Sequence, residues 1–323
     1  MDTLNEVQQH IYENLKKEGF KPVNRDSYNI FKKFEGDNLL EERTATIITA
    51  WSPENHGLYK VIDGYLCALF FLKTKPEYFI VYRTPGTNEN LQMIIDKLYC
   101  IAKNVGLPDL RIEAIENRFL KAYTTDITGY NIETFFNKND SEYAYKIEDL
   151  TNLDGSINYY KRKRVNLYCD REDVRLEPMT KQNVELVKEI EKKWCEASSD
   201  CDECRSYYGC EKHAIDEMVL FFDENIHTGL IGYEGDLPVA YIICERVNKN
   251  VSYTYFGKGI DDNFFVYIIY MLFKTYINDT DYMNIGEDLG EFGLRFFKRK
   301  LSLNELWERH CCIYKKIQGK HGR

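Results

Sequence analysis

Apolar residues recur along the chain at two spacings, and the switches between them outline its elements. Leu4, Val7, Ile11 and Leu15 lie three or four apart and predict a helix from Leu4 to Lys17. After an irregular stretch the spacing shortens. Thr44–Trp51, Gly57–Ile62 and Tyr65–Leu72 read as strands, with Asp63-Gly64 as the tight turn between the last two. Tyr78–Arg83 predicts another strand, broken by Pro85-Gly86. Leu91–Val105 then returns to helical spacing, Leu110–Ile115 to a strand and Asn117–Tyr123 to a short helix.

The second half repeats this order. Gly229–Tyr233 and Val239–Glu245 flank the turn Gly235-Asp236, and Val251–Gly257 is a strand broken at Gly257-Lys258-Gly259. Phe264–Ile277 is an apolar helix, Tyr282–Ile285 a strand and Gly293–Lys300 a helix. Sliding one half over the other by about 172 residues brings turns, strands and Gly breaks into register. Each half then holds a hairpin, a strand, a helix, a strand and a helix, which predicts a mixed sheet covered by helices. This α+β (mixed α/β) order is that of the GCN5-related acyl-CoA N-acyltransferase (GNAT) fold. The chain therefore reads as a tandem duplication of a GNAT-like fold, residues 1–155 with the leading helix and residues 156–323.

Composition narrows the setting. The longest apolar runs, Gly64–Leu72 and Phe264–Phe273, are about half of the ~20 residues of a membrane span. The polar N-terminus shows no signal-peptide core. Ten cysteines in a chain long enough for a hydrophobic core read as reduced thiols in a cytoplasmic protein. The net charge of −9 is unevenly spread. Tyr159–Arg171 carries +4 and Arg295–Arg323 carries +7, so an anionic partner would dock at those segments.

In the GNAT fold the fourth strand splays from the fifth, and the next helix N-terminus holds a phosphate-bearing acyl carrier. The usual signature there is Q/R-x-x-G-x-G/A. Arg83-Thr84-Pro85-Gly86-Thr87-Asn88 fits except at Asn88, making Arg83 and Gly86 candidate cofactor-binding residues; otherwise Pro-Gly merely ends a strand. The matching point in the second half is Gly257-Lys258-Gly259-Ile260-Asp261-Asp262, whose carboxylates suit helix capping and repel phosphate.

The stretch Tyr282–Leu301 is the most distinctive. Asn284, Asp288-Leu289-Gly290, Gly293-Leu294-Arg295 and Lys298 follow the pattern N-x3-D-L-G-x2-G-L-R-x2-K. Here the chain resembles the C-terminal catalytic domain of phosphatidylglycerol lysyltransferases. Tyr143–Arg164, with Asp149-Leu150 and a basic cluster before Asn166, and Trp194–Glu217 agree with the same family. The resemblance spans roughly residues 45–315. It implies two GNAT modules and transfer of an aminoacyl group from charged tRNA. The family's best-known members act on a lipid headgroup and carry membrane helices, so the lipid acceptor does not carry over directly. The donor is then aminoacyl-tRNA or acyl-CoA, no separate cofactor is assigned, and the acceptor is a small molecule, a peptide or a lipid headgroup.

Each candidate residue has two readings. Asp288 is a general base or ion partner for an amine, or a helix cap; Glu287 binds substrate or is solvated. Arg295 and Lys298 share a helical face and either stabilise an oxyanion or form a basic outer surface. Lys161, Arg162, Lys163 and Arg164, after Tyr159-Tyr160, either clamp RNA as an extended segment or form a solvated linker. Cys195, Cys201, Cys204 and Cys210 (C-x5-C-x2-C-x5-C) are reduced thiols or a metal site, and no metal is assigned. Acids and bases meet only in the second half. The reactive centre is therefore expected near Asn284, Asp288 and Lys298, with Lys161–Arg164 at its entrance. A scaffold without catalysis is the remaining reading, and the oligomeric state is left open.

Overall fold

The computed structural model describes residues 4–72, 76–82, 91–197, 211–301 and 305–317. Among them the first helix, Glu6–Lys17, starts at an Asn5–Gln8 capping box and buries Ile11 and Leu15. Fourteen strands follow in chain order: β1 Lys21–Pro22, β2 Leu58–Ile62, β3 Tyr65–Phe70, β4 Tyr78–Tyr82, β5 Leu110–Glu116, β6 Tyr130–Phe136, β7 Glu142–Lys146, β8 Val174–Pro178, β9 His227–Glu234, β10 Leu237–Arg246, β11 Val251–Gly259, β12 Tyr282–Asn284, β13 Glu305–Trp307 and β14 Arg309–Lys316.

They form two seven-stranded sheets, ordered β1-β2-β3-β4-β5-β14-β6 and β8-β9-β10-β11-β12-β7-β13. Both are antiparallel except at one place, β4 with β5 and β11 with β12. The two plans are the same, position by position, and each is the mixed α+β arrangement of a GNAT-like module. The sixth place breaks chain order in both. The last strand, β14, sits between β5 and β6, and β7 sits between β12 and β13. The compact units are accordingly residues 1–138 with 308–323, and residues 139–307. The boundary placed at 155/156 falls inside the second unit.

Glycine is required at the sharp turns. Asp63 and Gly64 take φ of 46° and 83°, which closes the two-residue hairpin between β2 and β3. The first core packs Leu69, Phe79, Ile94, Leu98 and Ile112 between sheet and the helix Leu91–Val105. The second packs Ile242, Phe264, Ile268, Leu272 and Met283 around the helix Asp262–Thr275.

Three sequence expectations are corrected. Thr44–Trp51 is not a strand: Thr44 caps a helix, Ala45–Ala50, by accepting from the Ile47 N–H at 3.4 Å. Ala45, Thr46, Ile48, Thr49 and Ala50 are all buried, so the β-branched pattern reported burial rather than pleat. Gly257-Lys258-Gly259 does not break its strand. β11 runs through it, and a Cβ at Gly257 or Gly259 would lie 2.8 or 2.9 Å from Phe265, so these glycines admit the helix to the sheet. The basic run at Lys161 is a helix, Tyr159–Val165, rather than an extended segment.

Candidate active site

The parallel pair β11–β12 holds for three residues, from Val251↔Tyr282 to Tyr253↔Asn284. β12 then ends while β11 continues to Gly259, so the strands part there. The loop leaving β12 is held in an unusual backbone. Gly286, Leu289 and Gly290 all have positive φ, at 67°, 51° and 84°. For Leu289 that conformation costs about 1 kcal/mol, which the surroundings must offset.

They do so through side chains of the closing motif. Asp288 accepts the Arg295 guanidinium in two 2.8 Å bonds, one to each oxygen, with the Tyr143 hydroxyl at 2.5 Å and the Gly290 N–H at 2.8 Å. Burial pushes the Asp288 carboxyl up, but the bonds from Arg295, Tyr143 and Gly290 outweigh it and hold the pKa at about 2. Arg295 also donates to Asn139 Oδ1 at 2.8 Å. The Lys298 ammonium donates to the carbonyls of Ile285 and Glu287 at 2.5 and 2.6 Å. Asn284 accepts the Gly286 N–H at 2.8 Å and donates to Glu142 at 2.5 Å. One clasp therefore ties residues 284–290 to β7 and to the helix Phe292–Lys300.

The first unit treats its parallel pair differently. β4 and β5 pair only at Phe79↔Ile112. Beyond it, Arg43 donates to Val81 O at 2.8 Å and to Ala114 O at 2.9 Å, bridging the two strand edges. Its guanidinium also lies 5.1 Å from the centre of the Tyr82 ring. Both carbonyls thus accept from a side chain of the same unit.

The profile of the family described as phosphatidylglycerol lysyltransferase, C-terminal, matches residues 42–301. The chain belongs to this family. No curated protein matches the chain. Among solved structures, a conserved protein of unknown function from Bacteroides thetaiotaomicron superposes with a TM-score of 0.81 at 20% identity, covering 92% of this chain and 99% of that one. L-PGS from Bacillus licheniformis gives 0.63 at 14% identity, covering 93% and 94%. The C-terminal domain of a putative lysylphosphatidylglycerol synthetase from Agrobacterium fabrum gives 0.60 at 12%, covering 89% and 92%. At these identities the likeness is one of fold.

In this member of the lysyltransferase family, Asn284, Asp288, Arg295 and Lys298 are brought together, with Glu287 contributing its carbonyl. Asn284, Asp288 and Lys298 are buried, yet their immediate partners are polar. The basic run is dispersed. Lys161 is 1% exposed and donates to Asp149 O at 2.5 Å; burial lowers its pKa to about 8. Arg162 serves the carbonyls of Leu153 and Gly155, and Arg164 covers the Tyr160 ring, leaving Lys163 exposed. A four-residue clamp is not available there. Arg83 and Gly86 lie outside the described residues, as do Cys201, Cys204 and Cys210. Cys195 is disulfide-bonded, which corrects the reduced-thiol reading for that residue, whereas Cys67, Cys100, Cys169, Cys244, Cys311 and Cys312 form no disulfide.

Sequence reasoning missed a second polar group in the same unit. Tyr241 on β10 donates to Glu191 on the helix Leu186–Ala197. Lys258 on β11 pairs with Glu211 at 2.7 Å and lies 4.6 Å from the centre of the Trp194 ring. Burial, with Glu211 nearby, pushes the Glu191 carboxyl up to about 7, against the opposing pull of Lys258 and Tyr241. A carboxyl so placed can exchange a proton near neutral pH; Asp288 cannot. The available signal was an acid at 191 on the apolar stripe formed by Val187, Ile190 and Trp194.

Proposed function

We propose that this lysyltransferase-like acyltransferase domain moves an aminoacyl group from charged tRNA to an amine or hydroxyl, with its reactive centre in the second unit. The observation that carries this reading is the clasped loop 284–290 where β11 and β12 part, set against the Arg43 bridge that fills the equivalent gap in the first unit. Asp288, Arg295 and Lys298 act by fixing the loop backbone. Glu191 is the carboxyl suited to take the proton that an acceptor amine gives up as it attacks the ester carbonyl. Family membership supports acyl transfer, and the basic balance after Arg295 supports a polyanionic donor. Acyl-CoA in the first unit is the weaker reading, because it would have to displace Arg43.

Filter binding of charged and uncharged tRNA across a salt series tests this. Phosphate contacts impose a steep fall in affinity with salt, and the charged form should bind more tightly. Absence of binding at low salt would refute the donor.

A further inference from the structure

The disulfide at Cys195 takes no part in the clasp, yet its place is specific. Cys195 lies four residues after Glu191 in the helix Leu186–Ala197, so the two share one helical face a single turn apart. Val187 and Ile190, both fully buried, pin the first half of that helix. The second half is attached through three side chains. Glu191 accepts from Tyr241 on β10, the Trp194 ring lies 4.6 Å from the Lys258 ammonium on β11, and Cys195 is covalently bonded. Of the three, only the last can be opened by a redox reaction. Cys195 is half-buried, within reach of a small reductant, and its partner lies outside the described residues.

Reduction has a direct physical consequence here. The last carbonyls of a helix have no partner within it, so an untethered last turn frays readily. Residues 194–197 are that turn, and Glu191 stands one turn before Cys195. Glu191 is 6% exposed and faces Tyr241 from β10, Lys258 from β11 and Glu211 at the start of the helix Glu211–Phe221. Fraying admits water to its carboxyl, and hydration favours the charged form. We propose that the disulfide at Cys195 is a redox switch on Glu191: closed, it seals the carboxyl beneath the helix end, and opened, it lets water reach it. The opening step takes two electrons and two protons from a dithiol reductant, which itself ends as a disulfide, and leaves two thiols on the chain. As regulation of acyl transfer, this rests on the role given to Glu191 above.

The test compares the full chain purified without reductant and the same chain treated with dithiothreitol. Iodoacetamide should label Cys195 only after dithiothreitol. Amide exchange in residues 192–197 should then speed up by at least about tenfold. The stabilities of wild type and Glu191→Gln, read by urea unfolding, should separate between pH 4.5 and about 7 while the bond is closed. Opening the bond should contract that window toward 4.5. It should also cut the advantage of Glu191→Gln at pH 8 by at least about tenfold in the folding constant. Cys195→Ser, with and without Glu191→Gln, should show the contracted window and no response to dithiothreitol. Any general loss of stability cancels in that difference, and the reduced wild type carries the same comparison without a substitution at Cys195. Labelling of Cys195 before reduction overturns the proposal, as does protection lifted by a chelator, which would mean a metal–thiolate site. An unchanged window or unchanged exchange after reduction overturns it too. None of these readings uses a donor or an acceptor, so failure of the switch and failure of the transfer reaction are separate results.

Discussion

In the first unit the gap between β4 and β5 is spanned by one guanidinium, with Val81 and Ala114 as its acceptors. In the second, β11 and β12 part beyond Tyr253 and Asn284, and the charged side chains there grip a loop instead of the facing strand edges. The strand plan is the same in both, and so is the single parallel pair. What differs is where the cations go. Arg43 makes the first gap part of the scaffold. Arg295 and Lys298 set the backbone of a loop beside the second, which leaves peptide groups in a fixed array. On the proposed function, one copy of the duplicated fold serves stability while the other carries chemistry.

The largest effect is expected from Asp288→Asn, which leaves Arg295 without its carboxylate and weakens the hold on Leu289. A loss of about 3 kcal/mol should appear in urea unfolding. The pH dependence sharpens this. The folded-state pKa of about 2 lies below the ordinary 3.8, so the contribution is present above pH 3.8 and is lost as pH falls toward 2. It amounts to about 2 kcal/mol, and the variant should lack that acid limb.

Glu191→Gln should act in the opposite direction. With its pKa raised from 4.5 to about 7, Glu191 favours the folded state fully below pH 4.5 and loses that contribution as pH rises through 7. The variant should therefore match the wild type near pH 4 and exceed it by about 3 kcal/mol at pH 8. If transfer activity is measured, its acidic limb near pH 7 should vanish in the same variant. A purely structural Glu191 would change stability alone.

These expectations show how far the sequence could be read. Turns such as Asp63-Gly64 and the helix Leu91–Val105 were legible because they follow from local backbone and period. The partners of β7 and β14 were not. The place of each in a sheet depends on pairing distant in sequence, and nothing in Glu142–Lys146 names β12 as its neighbour. The closing motif announced the residues of the clasp but not their roles. Spacing shows that Arg295 and Lys298 share a helix; it cannot show that one meets Asp288 and the other two carbonyls. Lys161 misled for the reverse reason, since a run of four charges gives no hint that the first points inward.

A smaller effect is expected from Arg43→Ala. It removes the partner of two strand carbonyls and should cost about 1–2 kcal/mol. It also separates scaffold from site: if the first gap only supports the fold, tRNA affinity should be unchanged in this variant at a temperature where it stays folded. A large loss of affinity would mean that the first unit takes part in donor binding.

The central claim, that the second unit holds the reactive centre, is tested most directly by hydrogen exchange of the whole chain with and without charged tRNA. The account predicts slowed exchange in residues 284–300 on addition of the donor, with β4 and β5 unchanged. Protection confined to residues 78–82 and 110–116, with none in 284–300, would contradict it.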